Sequence, residues 1–217
     1  MRLCREEALR YLGAAGADNA LRQAMEEAAA WLEARITPRW VYRVFHLTAE
    51  EGGVNLAGAR VTLTGCLAQT LLTDCRQAAL LACTLGQGWE RLMREEQARD
   101  MARAVILDAC ASAYVEAGCD AAQAEVAARM PGLHLTDRFS PGYGDLPLSL
   151  QPAILTALDA SRRLGLHATP TYLLLPQKSV TAVIGLAERP QGARIRGCPH
   201  CDLREHCTLR QRGGCGV

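Results

Sequence analysis

Lysine is nearly missing from this chain. Of 24 basic residues only Lys178 is not arginine, and 23 acidic residues leave a formal net charge of +1, so no global field draws the molecule to nucleic acid or to a membrane surface. No run reaches the roughly 18 apolar residues of a membrane span. No amino-terminal stretch joins a basic start, an uninterrupted apolar segment and a small-residue cleavage site, so a cytoplasmic protein is expected. Internal repeats and low-complexity blocks are lacking as well. No glycine-rich stretch has a phosphate-loop pattern. No Ser-His-Asp or Cys-His arrangement is readable: His46 and His134 fall in expected strands and His167 in a turn, where they read as packed or rim histidines rather than bases.

What is present is a chain of 217 residues, 49% hydrophobic and 22% charged, long enough to bury one large core. We expect a domain over residues 1–189 and an appended tail over residues 190–217, divided at Arg189-Pro190-Gln191-Gly192. Ten cysteines in a reducing compartment are packing groups, ligands or reactive thiols rather than disulfides. Cys4, Cys66, Cys75, Cys83, Cys110 and Cys119 stand singly in apolar stretches and are assigned to packing. The other four, Cys198, Cys201, Cys207 and Cys215, are separated by two, five and seven residues. Such spacing lets four thiolates close around one Zn²⁺ or a [4Fe–4S] cluster, and His200 and His206 offer nitrogen ligands for zinc. A tail this short buries no core of its own and is expected to fold around its metal. From Glu188 onward the chain is also mildly basic: Arg189, Arg194, Arg196, Arg204, Arg210 and Arg212 face only Glu188, Asp202 and Glu205.

The pattern of the main domain alternates between helix and strand. Residues 5–12 and 18–34 read as helices, the second opened by Asp18 and carrying Leu21, Met25, Ala28, Ala29 and Leu32 at helical spacing. Residues 40–47, with their β-branched and aromatic side chains, read as a strand, and short strands are expected at 54–56 and 60–63. Residues 65–72 form a short helix, and the apolar run 78–85 fits either state. From Gly86 some forty residues are helical, with Trp89, Leu92 and Met93 on one face and Met101, Val105, Ile106, Ala109 and Ala113 on the next, and a long buried helix is expected. An extended segment at 133–135, a helix from a Ser149 cap to residue 164 and a strand over 179–186 complete the reading. The fold class is α+β, with helices packed around a mostly antiparallel sheet and a C-terminal Cys-rich tail.

One loop, Arg138-Phe139-Ser140-Pro141-Gly142-Tyr143-Gly144-Asp145, has the composition of a ligand site. Arg138 can grip a carboxylate in bidentate fashion, the glycines allow close approach to the backbone, and Tyr143 offers a ring and a hydroxyl. Asp145 reads as a turn or capping group. Arg138-Phe139-Ser140-Pro141-Gly142-Tyr143 matches an Arg-x-x-Pro-Gly-Tyr loop, and Pro176-Gln177-Lys178-Ser179-Val180-Thr181 matches a Pro-x-x-Ser-Val-Ser strand. With supporting likeness at 41–45, 82–86 and 100–116, the sequence resembles, over residues 1–188, a free-standing reactivation (activation) domain of vitamin B12-dependent methionine synthase.

The resemblance implies that S-adenosylmethionine binds here, with its carboxylate on Arg138, backbone contacts from Ser140 and Gly142 beside Pro141, and Tyr143 lining the methyl-transfer side as the catalytic candidate. A carboxylate on the preceding helix is implied too, at a position that aligns with Glu116 or equally with Ser112. One departure is plain: an aromatic pair after the Ser-Val-Ser strand is Val183-Ile184 here. The implied reaction is repair of cob(II)alamin by one-electron reduction and methyl transfer. No Asp-x-His-x-x-Gly corrinoid motif is present, so the cobalamin is expected on a corrinoid-binding methionine synthase chain acting in trans, with a low-potential electron donor. The chain would then be an enzyme component rather than a complete enzyme. That electron demand favours a [4Fe–4S] cluster over Zn at the four tail cysteines, with four unligated thiols as the third reading. The alternatives are a metal-stabilised binding module without affinity for the nucleoside, or an activator of a different corrinoid methyltransferase.

Overall fold

A computed structural model describes residues 1–14 and 16–191; the four tail cysteines and nearly all of the expected tail therefore lie outside the described residues. Its frame is a six-stranded sheet in the order β3-β2-β1-β4-β8-β5, in which every neighbouring pair is antiparallel. The strands are β1 (Arg39–Glu50), β2 (Gly53–Leu56), β3 (Val61–Thr64), β4 (Cys75–Thr84), β5 (His134–Leu135) and β8 (Ser179–Ala187). A separate two-stranded hairpin joins β6 (His167–Ala168) to β7 (Leu174–Leu175).

The sheet separates two apolar cores because side chains alternate across each strand. On one face Ala79, Leu81 and Cys83 of β4 and Ala182, Ile184 and Leu186 of β8 meet the helices α1 (Arg5–Tyr11), α2 (Asn19–Glu33), α4 (Gly86–Arg99) and α5 (Met101–Arg129). On the other face Ala78, Leu80 and Ala82 of β4 and Val183 of β8 meet α3 (Cys66–Leu72), α6 (Gln151–Leu158) and α7 (Ala160–Leu164). Both faces of β4 are covered from Ala78 onward, so residues 78–83 are a continuous apolar run without alternation. That is why residues 78–85 fitted either state.

Three expectations are corrected. The long helical stretch is two helices: Asp100 is extended (φ −151°, ψ 98°) and ends α4, while its carboxylate accepts from Arg103 N at 3.0 Å and caps α5. Met101 and Val105, expected on a buried face, are exposed. Ser149 makes no cap; it lies in the short 3₁₀ turn Leu148–Leu150, and the helix after it starts at Gln151 and breaks at Asp159, whose φ of 53° is left-handed. The hairpin of β6 and β7 was not foreseen, because strands of two residues carry no periodicity. Among the described residues no helix is long and apolar enough to cross a membrane.

Candidate functional site

The loop singled out by sequence begins as an irregular extension of the sheet. Beyond β5, Thr136 N donates to Gly185 O at 3.0 Å, and Phe139 exchanges both backbone hydrogen bonds with Val183 of β8, at 3.1 and 2.7 Å. Extended backbone throws consecutive side chains to opposite faces. Phe139 therefore enters the core shared with α3 and α6, and Arg138 turns the other way, onto α5. The chain then folds back: Gly142, at φ 89°, donates its N–H to Leu146 O at 2.8 Å, and Tyr143 N donates to Ser140 O at 3.0 Å. Any ligand contact from the Gly142 backbone is thus through its carbonyl.

The far end of the loop is pinned by Asp145, which accepts from Cys66 N at 2.5 Å and Leu67 N at 3.0 Å and so caps α3 from a distance of nearly eighty residues in sequence. Hydrogen bonds from those two amides hold its carboxyl below the usual carboxylate range. Gly65 is required here: its φ is 102°, and a Cβ would lie 2.7 Å from Asp145 Oδ1.

Arg138 is the electrostatic centre. Its side chain is only 4% exposed, with Nη2 2.7 Å from Glu116 Oε2, and Nη1 3.0 Å from Asp120 Oδ1 and 3.1 Å from Gln123 Oε1. Burial alone would lower the guanidinium pKa, but Cys119, Glu116 and Asp120 nearby carry the balance upward. The two carboxylates differ in access: Glu116 is 35% exposed and Asp120 65%. An incoming carboxylate can replace Asp120, which returns to water at little cost, while Glu116 keeps its hold. The guanidinium fits a ligand carboxylate by this exchange.

One turn towards the start of α5 lies a second cation. Lys178 Nζ donates to Asp108 Oδ2 at 2.9 Å and to Ser112 Oγ at 2.8 Å. Between Ala104 and Ala122 the helix carries Asp108, Ser112, Glu116 and Asp120 at strict four-residue spacing, and otherwise only apolar residues and Tyr114. Four-residue spacing places all four on one line along the helix. Asp108 and Ser112 hold Lys178; Glu116 and Asp120 hold Arg138. The opposite side of the helix is packed so closely that Gly118 admits no Cβ, which would lie 2.7 Å from Cys83 Sγ.

The structure therefore brings Arg138 and Glu116 together, with Ser112 one turn away and directed to Lys178 instead. Ser140 is half-buried, Pro141 is buried, and Gly142 and Tyr143 lie at the exposed tip of the loop. Asp108, Asp120, Gln123 and Lys178 were not singled out as candidate site residues by sequence. The signal for Asp108 and Asp120 was readable as that polar line through an alanine-rich helix. The pairing of Lys178 was not, because its partners lie about seventy residues away. Cys198, Cys201, Cys207 and Cys215 fall outside the described residues, among which no group of three or more His, Cys, Asp or Glu side chains could hold a metal ion.

No family model matches the sequence, and no curated protein is similar enough to match it. A solved structure does: one described as the MetH reactivation domain bound to AdoHcy superposes with a TM-score of 0.63 at 16% identity, covering 90% of this chain and 72% of its own. The fold is that of the MetH reactivation domain. At this identity the likeness concerns the fold, and it agrees with the family that the Arg138 loop resembles. The α+β architecture around an antiparallel sheet expected above is the one found. Within that fold the Arg138 loop runs along the edge of β8, where its backbone pairs with Val183.

Proposed function

We propose that this chain binds S-adenosylmethionine at the Arg138 loop and serves the reactivation of a cobalamin-dependent methionine synthase supplied as a separate chain. Arg138 takes the methionyl carboxylate in exchange for Asp120. Glu116 stays beside it, and the sulfonium and ammonium groups of the ligand find compensating negative charge in the two carboxylates. Ser140, Pro141 and Gly142 form the turn against which the ligand lies, with Tyr143 at the methyl-transfer side.

The substrate on the partner is cob(II)alamin. An external low-potential donor adds one electron, and the resulting cobalt(I) attacks the sulfonium methyl. The cobalt–carbon bond forms with the cobalt electron pair, and the carbon–sulfur pair stays on sulfur, releasing the neutral thioether S-adenosylhomocysteine. This chain's contribution is to orient the methyl and to exclude alternative acceptors. Cys198, Cys201, Cys207 and Cys215 are the proposed ligands of a [4Fe–4S] cluster, which when bound would supply a low-potential electron.

The observation that carries this reading is the buried guanidinium of Arg138, held at the mouth of a glycine turn in the fold that a MetH reactivation domain has with AdoHcy bound. Calorimetric titration with S-adenosylmethionine tests it. Arg138→Ala should weaken binding by about a hundredfold or more, the scale expected on losing a buried charge partner, and Arg138→Lys should recover only part of it because the bidentate fork is lost. The unfolding midpoint of each variant separates this from a damaged fold. Equal affinity in the wild type and Arg138→Ala would remove the loop from the site.

A further inference from the structure

Lys178 stands apart in a chain whose other basic residues are all arginine. Its side chain is 17% exposed, and the backbone that presents it is fixed on every side: Gln177 N donates to Glu90 Oε1 at 2.6 Å, Leu85 N to Lys178 O at 2.9 Å, and Ser179 Oγ lies 2.6 Å from Pro176 O. Ser112 Oγ donates to Asp108 O at 3.1 Å, which turns its lone pairs to the ammonium. An ammonium carries three hydrogens, and among the described residues two acceptors meet this one, Asp108 Oδ2 and Ser112 Oγ. A half-exposed ion pair adds little to stability. The rigidity of the cluster thus exceeds what a surface staple needs, and resembles the pre-organisation of a binding contact.

Its position gives the ligand chemistry. Ser112 precedes Glu116 by one helical turn, about 6 Å along α5, so Lys178 and Asp108 lie down the helix from the point where Arg138 is held. Resting on the reading that the methionyl carboxylate sits on Arg138, we propose that Asp108 and Lys178 form the ribose subsite: the Asp108 carboxylate accepts from one ribose hydroxyl and Lys178 Nζ donates to the oxygen of the other. A vicinal diol needs one acceptor and one donor held together, and a carboxylate is the group that reads ribose hydroxyls in dinucleotide sites. The ligand is then read at two stations on a single rigid helix face, its amino-acid end at Glu116 and Asp120 and its nucleoside end at Asp108 and Ser112.

Titration of the full chain with S-adenosylmethionine and with its 2′-deoxy and 3′-deoxy analogues tests this, using the wild type, Lys178→Met and Asp108→Asn, each checked for an unchanged unfolding midpoint. The wild type should favour S-adenosylmethionine over at least one deoxy analogue by about tenfold, the scale of one charge-assisted hydrogen bond. Each variant should lose that preference, binding S-adenosylmethionine about as weakly as the wild type binds the deoxy ligand, while its affinity for the deoxy ligand stays the same. A variant that weakens all three ligands by one common factor, or none of them, overturns the subsite. Should Lys178→Met fail to fold, Asp108→Asn decides alone. Intact discrimination in both variants, with Arg138→Ala still abolishing binding, would overturn the ribose assignment only; no binding of any ligand to the wild type would overturn the Arg138 reading and this one together.

Discussion

The six cysteines of the main domain were assigned together to packing, but they occupy three different environments. Cys83, Cys110 and Cys119 are buried, Cys75 is half-buried, and Cys4 and Cys66 are exposed. Burial pushes the Cys110 thiol up to about 12 and, with the Asp74 charge, the Cys75 thiol to about 11. A hydrogen bond to Cys83, together with burial, raises Cys119 well above the ordinary thiol value. Iodoacetamide applied to the native protein at pH 8 should therefore label Cys4 and Cys66 and spare the other four until the chain is unfolded, as peptide mass mapping would show. Rapid native labelling of Cys110 would contradict the packing. The sequence could not separate these cases, because a cysteine at the first turn of α3 and one in the middle of α5 have equally apolar neighbours. Arg138 was legible as a candidate, since few residue types grip a carboxylate, but its burial and its acidic partners were not.

Among the elements, α5 carries most of the site and tolerates least change. Its polar line faces Arg138 and Lys178, and its opposite side presses Gly118 against β4 and the chain leading into β1. A Cβ on Gly118 would meet Cys83 Sγ at 2.7 Å and Pro38 Cβ at 2.8 Å. Gly118→Ala gains about 1 kcal/mol of helix propensity but overpacks a closed interface, at about 1–3 kcal/mol. Lower stability is expected, measured as a reduced midpoint in urea, with weakened ligand binding because Glu116 and Asp120 flank the displaced turn. A midpoint at or above the wild type would show that α5 can move freely over β4. Helices α1, α2 and α3 and strands β1, β2, β3 and β8 were legible within a few residues, since their apolar periodicity and breakers agree with their surroundings. The break at Asp100 escaped notice because an aspartate within forty helical residues looks like a surface charge until its side chain is seen to cap Arg103.

At the scale of the molecule, the sheet keeps two cores apart and the candidate site lies where β8 runs out of partners. Beyond the Val183 and Phe139 pair, no regular strand flanks β8 on that side among the described residues. The acidic line of α5 and the loop arginine together make a small charged mouth in a chain of formal net charge +1. Electron supply is a separate question for the four tail cysteines. Protein purified without oxygen should be brown and contain about four irons per chain if they hold a [4Fe–4S] cluster. Colourless, iron-free protein containing zinc would assign them to a structural site instead.

The loop from Arg138 to Asp145 is tied to both layers at once. Its first residue is gripped by α5 on one side of the sheet, and its last holds the opening amides of α3 on the other. It is a strap around the sheet's edge, anchored at each end by charge. The exchange proposed at Arg138 acts on one end of the short span whose other end seats Asp145, so the strap is an electrostatic tether between two layers that share no core, and a ligand bound at Arg138 would be linked to both.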